Sequence, residues 1–164
     1  MATPETIKKK LKTLFQTHFK DYLDTVENKA VYASDKFKLY DIEEYHLLST
    51  GQYQHVQARR FPALFILDGA MERMSFAQGR RERWLLELVL VLELRHSEPE
   101  TLSKMMSRYR EAIWEFLRAY ETLEGEAAGP IAEFAWGRSR GVILRQSMFQ
   151  IAVPAVFTIP IQSE

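Results

Sequence analysis

From Arg83 to Arg95 the chain reads RWLLELVLVLELR. The even positions Trp84, Leu86, Leu88, Leu90, Leu92 and Leu94 are all apolar. The odd positions Arg83, Leu85, Glu87, Val89, Val91, Glu93 and Arg95 mix charge with aliphatic side chains. A period of two belongs to a strand with one dry face. A helix would bring Glu87 and Arg95 onto one face with Trp84, Leu88, Val91 and Leu92. A membrane helix needs roughly 20 apolar residues, and Glu87 and Glu93 interrupt the run too soon. As a strand the stretch spans about 40 Å at ~3.3 Å per residue. One face then meets a core and the other meets solvent or a partner.

The flanking segments have other periods. Thr3-Pro4-Glu5 supplies a cap, a proline for the first helical position and an acid for the first turn. Ile7, Leu11, Leu14, Phe15, Phe19, Tyr22, Leu23 and Val26 follow at helical spacing, which predicts an amphipathic helix to about Glu27. The run Lys8–Lys12 reads as its wet face. SEPE at 97–100 reads as a capping box. It opens a second amphipathic helix through Leu102, Met105, Met106, Tyr109, Ile113, Phe116, Leu117 and Tyr120. FPALFILDG at 61–69 predicts a strand. A hairpin loop carrying Met71, Met74 and Phe76 joins it to the long strand. After a loop at 124–130, IAEFAW, a turn at GRSRG and the segment VILRQSMFQIAVPAVFTIPIQ read as β. Pro154 and Pro160 confine the last segment to an edge, a bulge or a strand end.

Residues 28–60 have scattered aromatics and no clean period. A short turn of helix near Asp41–Leu48 is the one element expected there. A long segment of this kind is usually functional, or orders only on contact with a partner. Residues 1–164 together read as one α+β domain: a mainly antiparallel sheet of about four to five strands with two amphipathic helices packed on one face.

Composition narrows the function. Hydrophobic residues at 46% and charged residues at 27% are those of a folded domain. Lys+Arg and Asp+Glu both number 22, and a zero formal charge disfavours a dedicated nucleic-acid binder. The absence of cysteine excludes disulfides, Cys-ligated zinc and thiol catalysis. MATPETIKKKLK lacks the apolar region of a secretory signal, so the expected setting is the cytoplasm or something assembled there.

Gly137–Gly141, GRSRG, has the G-x-S-x-G spacing of a nucleophile elbow. That motif needs a helix straight after the serine, and β-like sequence follows, so a basic hairpin turn is the favoured reading. His46 and His55, near Glu43 and Glu44, match no metal-ligand spacing. His18 and His96 read as structural or solvated. Arginine clusters at Arg59-Arg60, at Arg80, Arg81 and Arg83, and at Arg138, Arg140 and Arg145 suit interface or phosphate contact as well as solvation. Met71, Met74 and Phe76 suit docking, unless the loop folds back over them. No phosphate-binding loop, dinucleotide fingerprint or carboxylate dyad is present. No cofactor is expected, and nothing in the sequence argues for an enzyme.

The order of PALFILDG, a hairpin, RRERWLLELVLVLELR, a helix of the RYREAIWEFLRAY kind and FQIAVPAVFTIPI resembles the tail terminator (tail completion) proteins of long-tailed bacteriophages, the minor tail protein U-like group. The resemblance is one of layout across most of the chain. It implies a ring, typically a hexamer of identical subunits, at the head-proximal end of the virion tail and assembled in the host cytoplasm. Such a ring caps the tail tube, ends its elongation and offers a surface to a head-completion or connector protein. DNA passes through the lumen without sequence-specific binding, and no membrane, catalyst or cofactor is involved.

The alternatives are a head–tail connector, a ligand-binding or enzymatic α+β domain with its pocket between sheet and helices, and a nucleic-acid accessory protein. Candidate contact residues are Met71, Met74, Phe76, Arg80, Arg81, Arg83, Glu87, Val89, Val91, Glu93, Arg95, Arg138 and Arg140, together with the 28–60 arm. If the odd stripe of the long strand faces a neighbour, lysine at Val89 and Val91 blocks assembly and spares the fold. Unfolding instead marks the stripe as core.

Overall fold

A computed structural model describes residues 2–74, 82–143 and 148–162, without the side chains of 140–143. Helix α1 runs from Pro4 to Glu27. Thr3 closes its start: the Thr3 hydroxyl accepts the Thr6 N–H at 3.2 Å, and the Thr3 N–H donates to the Thr6 hydroxyl at 2.8 Å. Ile7, Leu11, Leu14, Phe15, Phe19, Leu23 and Val26 form its buried stripe.

Helix α2 runs from Pro99 to Ala119. Its cap is Glu98 rather than Ser97, because Pro99 takes the first helical position. His96 Nδ1 accepts the Glu98 N–H at 2.9 Å, and the Thr101 hydroxyl donates to the Glu98 carboxylate at 2.9 Å.

Among the described residues six strands form one sheet: β1 (Glu44–Ser49), β2 (Ala63–Arg73), β3 (Arg83–His96), β4 (Ala132–Trp136), β5 (Arg140–Ile143) and β6 (Phe149–Gln162). The order is β1-β2-β3-β6-β4, and β5 also pairs with β6. All pairings are antiparallel except β1 with β2. The architecture is the α+β layer arrangement read from the sequence, with both helices against one face. β1 lies where a turn of helix was expected. Its side chains alternate between two part-buried environments, Tyr45 and Leu47 on the helix side and Leu48 on the other, so no apolar parity marks it.

The long strand behaves as its parity demands. Leu86, Leu88, Leu90, Leu92 and Leu94 are exposed by 1% or less. They meet Leu64 and Ile66 of β2, Phe157, Ile159 and Ile161 of β6, and the helix stripes. Phe15 packs at 5.0 Å from Phe19 and 4.2 Å from Phe116, which ties α1 to α2. Each fully buried side chain of this size contributes about 1.5–3 kcal/mol. Met71 lies within β2, opposite Leu86, rather than in the hairpin loop; β2 continues through a bulge between Asp68 and Met71.

Two expectations about the C-terminal β segments are corrected. β6 is internal, between β3 and the pair β4 and β5, although it carries Pro154 and Pro160. β4 and β5 are not a hairpin joined at GRSRG. Both run antiparallel to β6 along the same edge, with register shifts between Ala132 and Ala135 and again before Arg140. β5 pairs with the start of β6, with Ile143 opposite Phe149.

The prolines and the broken edge explain each other. A residue in an antiparallel strand points its N–H and C=O to the same neighbour. The Pro154 carbonyl accepts the Gly137 N–H, and the Pro160 carbonyl accepts the Ala128 N–H, both at 2.8 Å. The missing proline N–H groups therefore also face this edge, where the partner strand is interrupted on either side of β4. Glu133, within the first irregularity, adopts φ 54°, a left-handed conformation uncommon for such a residue.

Gly137 permits the close approach. A Cβ there would lie 2.7 Å from Cγ of the rigid Pro154 ring. Gly137→Ala is expected to lower stability by about 1–3 kcal/mol, the usual cost of overpacking. Gly51→Ala, at a site with no atom within 4 Å of the added carbon, is expected to change it by less than about 0.5 kcal/mol. Urea unfolding of the two variants checks the contrast.

Candidate functional site

The 28–60 segment packs onto its own chain. Lys29 pairs with Glu111, and with Glu115 at 2.7 Å, on α2. The Tyr32 hydroxyl donates to Glu111 at 2.7 Å. Arg108 is 4% exposed, and its guanidinium lies 4.1 Å from the Tyr32 ring and 3.9 Å from the Phe37 ring. A desolvated guanidinium against aromatic faces is a favourable cation–π contact. The hydroxyl of fully buried Tyr109 donates to the Tyr40 carbonyl at 2.5 Å, and Leu39 is fully buried beside it. Both polar and apolar anchors therefore hold the first half of the arm along α2.

The second half supplies β1 at the sheet edge, then a 3-10 turn at Thr50–His55. Residues up to Phe61 cross the outer face of the sheet, the one turned away from the helices. There Tyr53, Val56, Ala58 and Phe61 pack with Ala63, Phe65, Leu67 and Val91 in a second small core. Lys8 reaches the sheet rather than solvent: it pairs with Asp68 and donates to the Leu48 carbonyl at 3.0 Å. That removes Lys8 from the expected wet face. His46 contacts Glu44 at 3.1 Å and stacks on Phe65 at 4.8 Å, while His18 stacks on Tyr120 at 5.1 Å. Among the described residues no group of three or more His, Asp or Glu is placed to hold a metal. No helix among them is long and apolar enough to cross a membrane.

The arm divides the expected contact stripe in two. Val91 is 5% and Glu93 7% exposed, both beneath the arm. The reading of those two residues as an open contact face is corrected: the chain's own residues cover them. Val89 is half-buried at the margin of the same cluster. Arg95 is exposed, donates from Nε to Gln150 at 2.9 Å and stacks on Phe61 at 4.0 Å.

At the other end of the face the side chains stay half-exposed. Leu85 lies opposite Pro160, Glu87 opposite Thr158 and Val89 opposite Val156. Glu87 leans over Gly69, and a Cβ at that glycine would strike its carboxylate. Arg83, exposed at the start of β3, extends this strip. Met71, 40% exposed, lies on the opposite side of the sheet because it pairs with Leu86. Met74 donates its N–H to the Arg83 carbonyl at 3.0 Å and is half-buried. Arg138 is exposed between β4 and β5, at a distant edge, and Arg140 begins β5. Phe76, Arg80, Arg81 and Arg145, and the side chain of Arg140, lie outside the described residues.

A ligand-binding reading asks for a cleft between sheet and helices. That layer is occupied by the main core. A cavity of about 280 Å³ lies on the other face, under the arm. GRSRG lies at the break between β4 and β5 and is followed by a strand, so Ser139 has no elbow helix behind it.

No family model matches the chain, and no curated protein matches it. Among solved structures it is similar to a chain from the virion of a native gene transfer agent particle, at 10% identity. The match has a TM-score of 0.32 and covers 88% of this chain and 92% of that one. A likeness at that score carries no functional argument.

Two outcomes follow from the arm. Val91→Asp is expected to unfold the protein or cost at least about 3 kcal/mol, because the new carboxylate is buried under the arm on the same face as Glu93, a like charge. Circular dichroism against urea reads this directly. The second concerns acid. Burial raises the Glu111 carboxyl, but the bonds from Lys29 and Tyr32 and the charges of Lys29 and Arg108 outweigh it and hold it below the ordinary carboxylate value. A carboxyl lowered in the folded state adds stability above its unfolded value and loses it as pH falls through the folded one. Glu111→Gln is expected to cost about 1 kcal/mol at neutral pH and to flatten the loss of stability between about pH 5 and 3.

Proposed function

We propose that the protein is a virion assembly subunit, a tail terminator whose copies close into a ring on the end of a tail tube. The observation that carries this reading is the half-covered outer face. The two longest strands, β3 and β6, run its full length, and the chain's own arm covers only one end. The open end offers Leu85, Val156 and Pro160 interleaved with Glu87 and Thr158, a mixed surface suited to a second protein rather than to water alone.

The occupant proposed for it is another copy of this chain. Zero formal charge leaves little self-repulsion between copies. A ring needs two different complementary surfaces on each subunit, and the interrupted edge around Arg138 is chemically unlike the open strip. The layout of helix, strand hairpin, helix and closing strands, which resembles that of tail terminators, supports the same reading. The tube protein, a head-completion or connector protein and passing DNA are the partners such a ring would meet. A head–tail connector of similar build is the neighbouring alternative, separated by whether the ring binds tube subunits or connector subunits.

Light scattering and negative-stain imaging test the proposal. The wild type is expected to form rings, alone or on purified tube subunits. The double variant Val156→Lys, Thr158→Lys is expected to stay folded, within about 1–2 kcal/mol of wild type, and to remain monomeric. A wild type that stays monomeric and binds neither tube nor connector subunits would overturn the reading.

A further inference from the structure

The cavity under the arm is walled by Tyr53, Gln54, Val56 and Gln57, with Glu93 of β3 and Gln150 of β6 beneath them. Glu93 is 7% exposed. One of its oxygens, Oε2, accepts the Tyr53 hydroxyl at 3.1 Å and the Gln150 amide at 3.4 Å. Among the described residues the other oxygen, Oε1, has no donor. The nearby basic side chains are engaged elsewhere: Arg95 with Gln150 and the Phe61 ring, His46 with Glu44. Burial pushes the Glu93 carboxyl up, against the Tyr53 hydrogen bond and the charges of Arg95 and His46. A nine-tenths-buried carboxylate with a free oxygen on a cavity lacks a counter-ion that its environment would reward.

We propose that this cavity is a binding site for a primary ammonium group, with Glu93 as its counter-ion. The choice of ammonium over guanidinium follows from the acceptors. A guanidinium fork needs both oxygens of a carboxylate in one plane, and here only one is free. An ammonium has three donors with no planar demand. The side-chain amides of Gln54 and Gln57 make no hydrogen bond among the described residues, so their oxygens are free to complete the set. Val56 and the Tyr53 ring give an alkyl stem an apolar wall. A volume of about 280 Å³ is that of roughly nine waters and suits a short alkylamine or a lysine side chain. It falls just short of the pockets that take larger ligands. Two sources share this chemistry: a free small amine, and a lysine of a second copy of the chain.

The test is NMR of the Glu93 carboxyl carbon in uniformly folded protein. Titration with n-butylammonium is expected to give a saturable shift and to lower the carboxyl's apparent pKa. Guanidinium is expected to bind at least about tenfold more weakly, and Glu93→Gln to weaken butylammonium by at least about tenfold. Protein dilution separates the sources. A lysine from a second copy makes the Glu93 resonance depend on protein concentration and is displaced by butylammonium; a site for free amine shows no such dependence. The idea is overturned if the wild-type resonance does not respond to butylammonium at either extreme of concentration, if guanidinium binds as well, or if Glu93→Gln binds unchanged. The wild-type titration decides the matter even if that variant does not fold. Because Glu93 lies away from the open strip, failure here leaves the ring reading standing, and a monomeric protein leaves the free-amine site standing.

Discussion

The unbroken antiparallel register of β3 and β6, from Arg83 opposite Gln162 to His96 opposite Phe149, is the constraint on which the rest of the molecule depends. It fixes which side chains face the helices: the even leucines of β3 and the odd residues of β6. It also fixes the other face, which no helix covers. With β3 hydrogen-bonded on one side of β6, the prolines can place their missing donors only on the far side. The edge strand there breaks into β4 and β5, and Gly137 passes close against the Pro154 ring.

The apolar content of that outer face is too great to leave to water along its full length. The arm answers part of the demand. Its first half is held by the charged and aromatic cluster around Arg108 and Glu111, and its second half lies over Phe65 and Val91. What is left is a strip at the far end, half-exposed and of mixed chemistry, beside the β2–β3 hairpin. Assembly through that strip would finish what the arm begins. The buried Glu93 lies beyond that boundary, where the arm spans the sheet without filling the space beneath it.

Much of this was legible in the sequence. The two-residue period of RWLLELVLVLELR identified β3 and its dry face, and the capped, periodic stripe of α1 gave that helix to its last residue. The failures have physical causes. β1 lies between two half-buried environments, so it shows no parity. The arm is held by long-range contacts, Lys29 with Glu111 and Arg108 with Tyr32 and Phe37, that leave no local pattern. Val91 and Glu93 shared a parity with solvent-facing residues, and only the crossing of residues 50–61 removes them from solvent. Pro154 and Pro160 pointed to an edge, a bulge or a strand end. The rule behind that reading holds at the level of single N–H groups, which do face a broken edge, although the strand itself is internal. No local signal separates Glu93 from Glu87, which also lies between two buried leucines and stays half-exposed.

The central claim is that the open strip of β3 and β6 is where copies meet. The chain has no cysteine, so Thr158→Cys would carry the only thiol, on that strip. The decisive measurement is the rate at which a thiol reagent modifies it, followed alongside molecular mass as the protein assembles. The rate should fall by at least about tenfold as rings form. Assembly that leaves Thr158→Cys as reactive as in the monomer would contradict the account.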